Sequence, residues 1–167
     1  PNGTPKNGGA ALTLANCTFE NPCGPTDFSQ TGVNTLNALL PNTMLYFNGG
    51  TYPASNGFNP ITLNNGQGVF SRMADYSVAA NGMGRSTFNG GFNLSGNNQL
   101  EGVILNNTGL AFGVTSTGGS NILINNSQIG SAGNPYISGL SLFNSSATLT
   151  NSVIFSNLSG IQVTQNA

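Results

Sequence analysis

The sequence predicts an all-β fold, a right-handed parallel β-helix solenoid with an N-terminal capping α-helix. Three observations lead there. From residue 44 onward, apolar residues recur in short alternating pieces. The pieces repeat at steps in the low twenties, the spacing of a solenoid. The intervals between them are filled by Asn, Gly and Ser, and Asn alone occurs 27 times in 167 residues. Charge is scarce at 4% of residues, against about 25% in an ordinary domain. A hydrophobic fraction of 37%, placed at strand-like spacing, argues against a disordered polar tract.

Residues 1–25 form a Gly/Pro/Asn-rich segment with one alternating piece, ALTLAN, that places Leu12 and Leu14 on one side. Its two cysteines, Cys17 and Cys23 in NCTFENPC, are the only ones in the chain. Their spacing, with Pro22 and Gly24 beside it, favours a small disulfide-closed loop and an oxidising compartment over a pair of buried free thiols. With no His and no third Cys, no metal site is expected there.

Residues 26–43 are read as the capping helix. Thr26 or Asp27 supplies the N-cap oxygen. Val33, Leu36 and Leu40 then share one face, and Pro41 ends the run. That apolar face suits the exposed first coil of a solenoid, whose open sheet edges need a cap.

Residues 44–167 are read as the coils. Aligning QLEGVIL with NILINNSQI and ATLTNSVI stacks Leu100, Ile124 and Leu149 at steps of 24 and 25. Leu105, Ile129 and Ile154 stack at the same steps. A further column holds Phe92, Val114, Leu140 and Ile161, and its companion holds Leu94, Leu142 and Val163 with Ser116 as a weak rung. The Asn pairs 64–65, 97–98, 106–107 and 125–126 fall at corners. There they can stack as polar ladders or simply tolerate the left-handed turn conformation. A leucine-rich repeat lacks its consensus here. A calcium-binding β-roll needs more than the two Asp present, and a sandwich would show longer strands with no fixed period. The chain stops at GIQVTQNA as a new coil begins, so the natural protein is expected to continue or another subunit to stack on that end.

One period is stretched. Ile61 to Phe92 spans 31 residues because of the insertion SRMADYSVAANGMGRS at 71–86. It gathers Arg72, Asp75, Tyr76 and Arg85, which are the candidate ligand-contact residues. The alternative for the same residues is an Asp75–Arg ion pair pinning a long loop, worth about 0–1 kcal/mol if exposed.

Composition removes several function classes. Three cations, Lys6, Arg72 and Arg85, cannot neutralise a run of phosphates or anchor a polybasic membrane contact. No apolar run approaches the length of a spanning helix. The first residues show no signal-peptide pattern, so either a signal has been removed or the chain is internal. Glycoside hydrolysis needs two carboxyl groups facing one bond. The anions are Glu20, Asp27, Asp75 and Glu101, and Glu101 is expected to point outward between Leu100 and Val103 with no carboxylate near it in sequence. Without His, the Ser and Thr hydroxyls lack a conventional base. No catalytic residue, metal or cofactor is assigned.

The segments LPNTMLYFNGGTYPA (40–54), ITLNNGQGVFSR (61–72) and STFNGGFNLSGNNQLEGVILNN (86–107) follow the helix in an order that resembles passenger domains of bacterial surface β-helix proteins, of autotransporter or adhesin type. The stretch GLSLFNSSATLTNSVIFSNLSGIQV (139–163) is similar to the Asn/Ser-rich coils of the pectate-lyase-like superfamily. The resemblance spans roughly residues 26–167, and many unrelated activities share this scaffold. It implies a secreted or surface-exposed location on a bacterium and a non-enzymatic adhesin role, with host or cell-surface glycans or proteins as partners. A filament subunit that self-associates through its C-terminal coil and a polysaccharide-active enzyme are the alternatives. An ice-binding face would need repeated Thr-x-Thr columns, and only TST (115–117) and TLT (148–150) fit.

Overall fold

The computed structural model describes residues 17–18, 22–24, 41–52, 60–72 and 85–166. Among these the chain is all-β, with no helix. The capping helix expected over 26–43 lies outside the described residues except for 41–43, where Pro41 and Asn42 turn the chain into the first strand.

Fifteen strands fall into five rungs of three. The first rung is β1 (Met44–Asn48), β2 (Gly50–Tyr52) and β3 (Ile61–Leu63); the second is β4 (Gly68–Arg72), β5 (Ser86–Asn89) and β6 (Phe92–Leu94). The third is β7 (Gln99–Glu101), β8 (Ile104–Asn106) and β9 (Phe112–Thr117), and the fourth is β10 (Ile122–Asn125), β11 (Gln128–Ile129) and β12 (Tyr136–Phe143). The last is β13 (Ala147–Thr150), β14 (Val153–Ile154) and β15 (Ser156–Thr164). Each rung gives one strand to each of three five-stranded sheets: β1-β4-β7-β10-β13 (sheet A), β2-β5-β8-β11-β14 (sheet B) and β3-β6-β9-β12-β15 (sheet C). All pairings are parallel, so the molecule is a parallel β-solenoid.

The pleat sends every second side chain inward, and the stacked register turns those residues into columns. Leu45, Val69, Leu100, Ile124 and Leu149 line sheet A. Tyr52, Phe88, Leu105, Ile129 and Ile154 line sheet B. Sheet C contributes Ile61–Phe92–Val114–Leu140–Ile161 and Leu63–Leu94–Ser116–Leu142–Val163. The columns read from sequence thus keep their register, including the Ser116 rung. The core accepts Ser116 because its hydroxyl donates to the Leu94 carbonyl at 2.8 Å and lies 3.2 Å from the Ser145 hydroxyl. Toward the N-terminal end the core is aromatic, with Phe47 edge-on to both Tyr52 and Phe88 at centroid separations of 5.2 Å. In the last rung Ile161 and Val163 are 50% and 56% exposed, whereas Val114 and Leu140 are fully buried.

The corners hold their shape through stacked left-handed residues. Asn42, Gly66, Asn97 and Asn121 all have positive φ at the turn into sheet A. Gly102, Asn126 and Asn151 do the same at the turn out of it. Asn accepts this conformation at lower cost than other side-chain-bearing residues. At Gly66 a Cβ would fall on the Asn42 side-chain oxygen, so a side chain there would have to displace that amide. The corner amides also form a ladder: Asn121 Nδ2 donates to Asn97 Oδ1 at 3.1 Å, and Asn97 Nδ2 to Asn65 Oδ1 at 2.9 Å. Both roles weighed for the Asn pairs are therefore filled.

Cys17 and Cys23 form a disulfide, and both are buried. The short loop does more than close on itself. Cys23 pairs in parallel with Phe47, donating to the Tyr46 carbonyl (2.9 Å) and accepting from Asn48 N (2.8 Å), while Tyr46 N donates to the Cys17 carbonyl (2.8 Å). The disulfide loop thereby occupies the outer edge of β1, which would otherwise offer unpaired backbone groups.

Candidate functional site

Of the residues singled out in the insertion, Asp75 and Tyr76 lie outside the described residues. Arg72 ends β4, opposite Asn48 in β1. Arg85 precedes β5 and is half-buried; its carbonyl accepts from Gly50 N at 3.5 Å, and its buried Nε has no hydrogen-bond partner. The base of the insertion is closed: Ser86 N donates to the Ser71 hydroxyl at 2.9 Å, and the Ser86 hydroxyl reaches the Phe47 and Asn48 carbonyls at 3.1 and 2.9 Å. Both serines are fully buried. The described residues therefore include only Arg72 and Arg85 of the four candidates.

Glu101 is outward in register, as expected, but it is covered. It sits on the outer register of sheet A, between Phe70 and Asn125, yet is only 7% exposed. Its Oε1 accepts from Asn125 Nδ2 (3.0 Å) and Asn126 Nδ2 (2.8 Å). Thr150 in turn donates to Asn125 Oδ1 at 2.7 Å. The carboxylate is thus tied into a ladder crossing three rungs. Among the described residues no group of three or more His, Cys, Asp or Glu side chains could hold a metal.

The outer face of sheet C is built differently. Its central outward column is Thr62, Asn93, Thr115, Ser141 and Gln162; beside it Thr117, Phe143 and Thr164 stack, with Asn64 and Ser95 following β3 and β6 directly in the chain. Nine of these ten residues carry short or medium polar side chains, and none carries a charge. Thr115 donates to Asn93 Oδ1. The hydroxyls of Thr62, Ser95, Thr117 and Ser141 take no protein partner among the described residues. Two adjoining depressions of about 300 and 330 Å³ open on this face and share Asn93 and Thr115. One is floored by Asn93, Ser95, Thr115 and Thr117; the other is walled by Pro60, Leu110, Ala111 and Phe112.

That wall is held from behind. Asn107 Oδ1 accepts from the backbone N–H groups of Gly109 and Leu110, each at 2.9 Å, and its Nδ2 donates to the Pro135 carbonyl at 2.7 Å. Leu110 packs against the core, leaving Phe112 39% exposed at the rim. The two Thr-x-Thr fragments end up on different faces, TST on sheet C and TLT on sheet A, so they do not form one array. The groove residues drew no attention in the sequence because none is charged. Their signal was the residue on either side of each inner column position, Asn93 and Ser95 around Leu94, Thr115 and Thr117 around Ser116. It becomes readable only once the register is assigned.

Comparison with protein-family models, curated proteins and solved structures returned no match to this chain.

Proposed function

We propose that this chain is a non-enzymatic scaffold of a secreted or surface-exposed protein, and that it meets its partner through the outer face of sheet C. The observation that carries this reading is the set of uncharged hydroxyls at Thr62, Ser95, Thr117 and Ser141, without a protein partner among the described residues, beside a fixed apolar wall. Sites that recognise a ligand combine these two elements, a few placed polar groups and an apolar surface. The groove's described lining contains no carboxylate, imidazole or thiol, which favours contact over catalysis. The buried Cys17–Cys23 disulfide supports an oxidising compartment.

The test is adhesion of beads coated with the folded chain to a panel of bacterial and animal cells. Retention above that of beads coated with a Phe112→Ala, Thr115→Val double variant is expected. Equal retention of the two, or none, would overturn the assignment of sheet C as the contact face.

A further inference from the structure

We propose that Asn48 is a self-modifying residue: in the folded solenoid its side chain cyclises onto the Gly49 nitrogen and hydrolyses to aspartate and isoaspartate. The step needs only water. The Gly49 nitrogen gives up its proton and attacks Asn48 Cγ. A C–N bond forms, closing a five-membered imide, and the side-chain nitrogen leaves as ammonia. Water then adds to either ring carbonyl and opens it, leaving an aspartyl or isoaspartyl linkage with one new carboxylate. Glycine suits this attack because it has no Cβ to obstruct the close approach.

The chain has seven Asn-Gly pairs, and three lie among the described residues, at 48–49, 65–66 and 89–90. Their places differ. Gly66 and Gly90 are buried, and each N–H donates at 2.9 Å to a carbonyl of the next rung, Gly96 and Asn106 respectively. The side chains beside them are also held: Asn97 Nδ2 donates to Asn65 Oδ1 at 2.9 Å, and Asn106 Nδ2 to Asn89 Oδ1 at 3.1 Å. Cyclisation at either pair would break bonds between rungs. Gly49, by contrast, is exposed and Asn48 half-buried. Neither the Gly49 N–H nor the Asn48 side-chain amide has a hydrogen-bond partner among the described residues.

The corner also activates the nucleophile. Deprotonating the Gly49 nitrogen places charge on the oxygen of the same peptide unit, the Asn48 carbonyl. That oxygen accepts from the Tyr52 hydroxyl at 2.7 Å and from the Ser86 hydroxyl at 2.9 Å. Each hydroxyl has one proton and a second acceptor slightly farther away, the Cys23 carbonyl at 2.8 Å for Tyr52 and the Phe47 carbonyl at 3.1 Å for Ser86. As charge develops on the Asn48 oxygen, both protons turn to it, which is how an oxyanion hole works. Tyr52 and Ser86 are fully buried, so the donors are fixed before reaction. They are positioning residues acting through the peptide unit. Opening to isoaspartate turns the former Asn48 carbonyl into the free carboxylate, so the new charge lies between the same two hydroxyls.

The experiment is incubation of the folded chain in mildly alkaline buffer at body temperature. Conversion at each Asn-Gly pair is followed by fragmentation mass spectrometry of chymotryptic peptides, and isoaspartate by enzymatic methyl transfer. Asn48 is expected to convert about tenfold or more faster than Asn65 and Asn89, and the three rates to converge in urea. Ser86→Ala should slow Asn48 several-fold and leave Asn65 and Asn89 unchanged, with circular dichroism confirming the fold. Tyr52→Phe should do the same and serves where Ser86→Ala does not fold. A merely loosened corner would instead speed conversion. Conversion of Asn48 no faster than that of Asn65 or Asn89 in the folded chain overturns the proposal, as does a lead that persists in urea. Folded hydroxyl variants that convert Asn48 at the parent rate overturn the role given to Tyr52 and Ser86.

Discussion

On the outer face of sheet A, Thr150, Asn125 and Glu101 stand one above another and pass hydrogen bonds from rung to rung. On sheet C, Thr62, Asn93, Thr115 and Ser141 occupy the equivalent column, and only Thr115 and Asn93 are joined. Pleat and rung spacing are the same on both faces. What differs is reach. A Ser or Thr hydroxyl stacked on another at the same register position stays roughly 4.8 Å from it, whereas an Asn or Glu side chain closes that gap. A column that alternates acceptor and donor with sufficient length stabilises the solenoid. A column of short hydroxyls leaves its capacity to solvent or a ligand. Composition alone does not separate a structural face from a binding face in such a chain; the order of side-chain lengths along the axis does.

The corner leading from sheet C into sheet A is where both faces can be broken together. Asn98 is 1% exposed there. Its Nδ2 donates to the carbonyls of Asn64 and Gln67 at 2.8 and 3.0 Å, and its Oδ1 accepts from Gly96 N at 2.8 Å. Asn98→Ala removes three hydrogen bonds and leaves the buried Gly96 N–H without its acceptor, while the Asn64 and Gln67 carbonyls keep a backbone donor each; a loss of about 3 kcal/mol is expected. The measurement is the urea midpoint, with an unchanged slope showing that the cost is one of stability. A loss under about 1 kcal/mol would mean that water replaces the amide and that the corner is not a shared support.

The sheet A ladder should be nearly as sensitive. Glu101→Ala removes the acceptor shared by Asn125 and Asn126, and about 2 kcal/mol of stability should go with it. In a double-mutant cycle with Asn125→Ala the two losses should fall well short of additive, because the groups form one network. Additive losses would mean that Glu101 is held by packing alone and that the contrast with sheet C is not one of hydrogen bonding.

Tyr136 tests the layer beneath sheet C. It is fully buried and its hydroxyl donates to the Gly90 carbonyl at 2.5 Å, across 46 residues. Burial pushes its phenol well above the ordinary value near 10. Above that ordinary value the unfolded chain releases this proton while the folded chain keeps it. Stability from this group is therefore complete below about pH 10 and falls as pH rises beyond it. Tyr136→Phe should cost about 1 kcal/mol at neutral pH and flatten the alkaline decline. An equally steep decline in the variant would place the sensitivity elsewhere.

How much of this was legible in the sequence depended on distance along the chain. Columns such as Leu100–Ile124–Leu149 were readable because one period of 24 or 25 residues sets them, and an inward aliphatic at each rung needs no other information. Ser116 looked like a defect, because the Leu94 carbonyl and Ser145 hydroxyl that satisfy it come from neighbouring rungs. The Cys17–Cys23 pairing followed from spacing, but its place on the edge of β1 depends on Phe47, which is remote in sequence. Glu101 was read as outward, and its register is outward; its cover is supplied by amides one rung on. For the site, the rarity of charge singles out Arg72, Asp75 and Arg85, with Tyr76 beside them in the insertion. The neutral floor at Asn93 and Thr115 carries no such flag.

The smallest expected effect is the most pointed test of the comparison. Thr117, on the second outward column of sheet C, and Ser95, directly after β6, are exposed, and neither side chain has a protein hydrogen bond among the described residues. If that face contributes nothing to its own scaffold, Ser95→Ala and Thr117→Ala, singly or together, should shift stability by no more than about 0.5 kcal/mol. The same pair should weaken any partner that occupies the groove, since each removes a donor and an acceptor from its floor. Stability and binding would then move independently on sheet C, whereas on sheet A the loss of Glu101 moves stability alone. A stability loss near 2 kcal/mol from the Ser95 and Thr117 pair would show that these hydroxyls brace the solenoid through ordered water. The two faces would then differ in the length of their hydrogen-bond paths and not in their purpose.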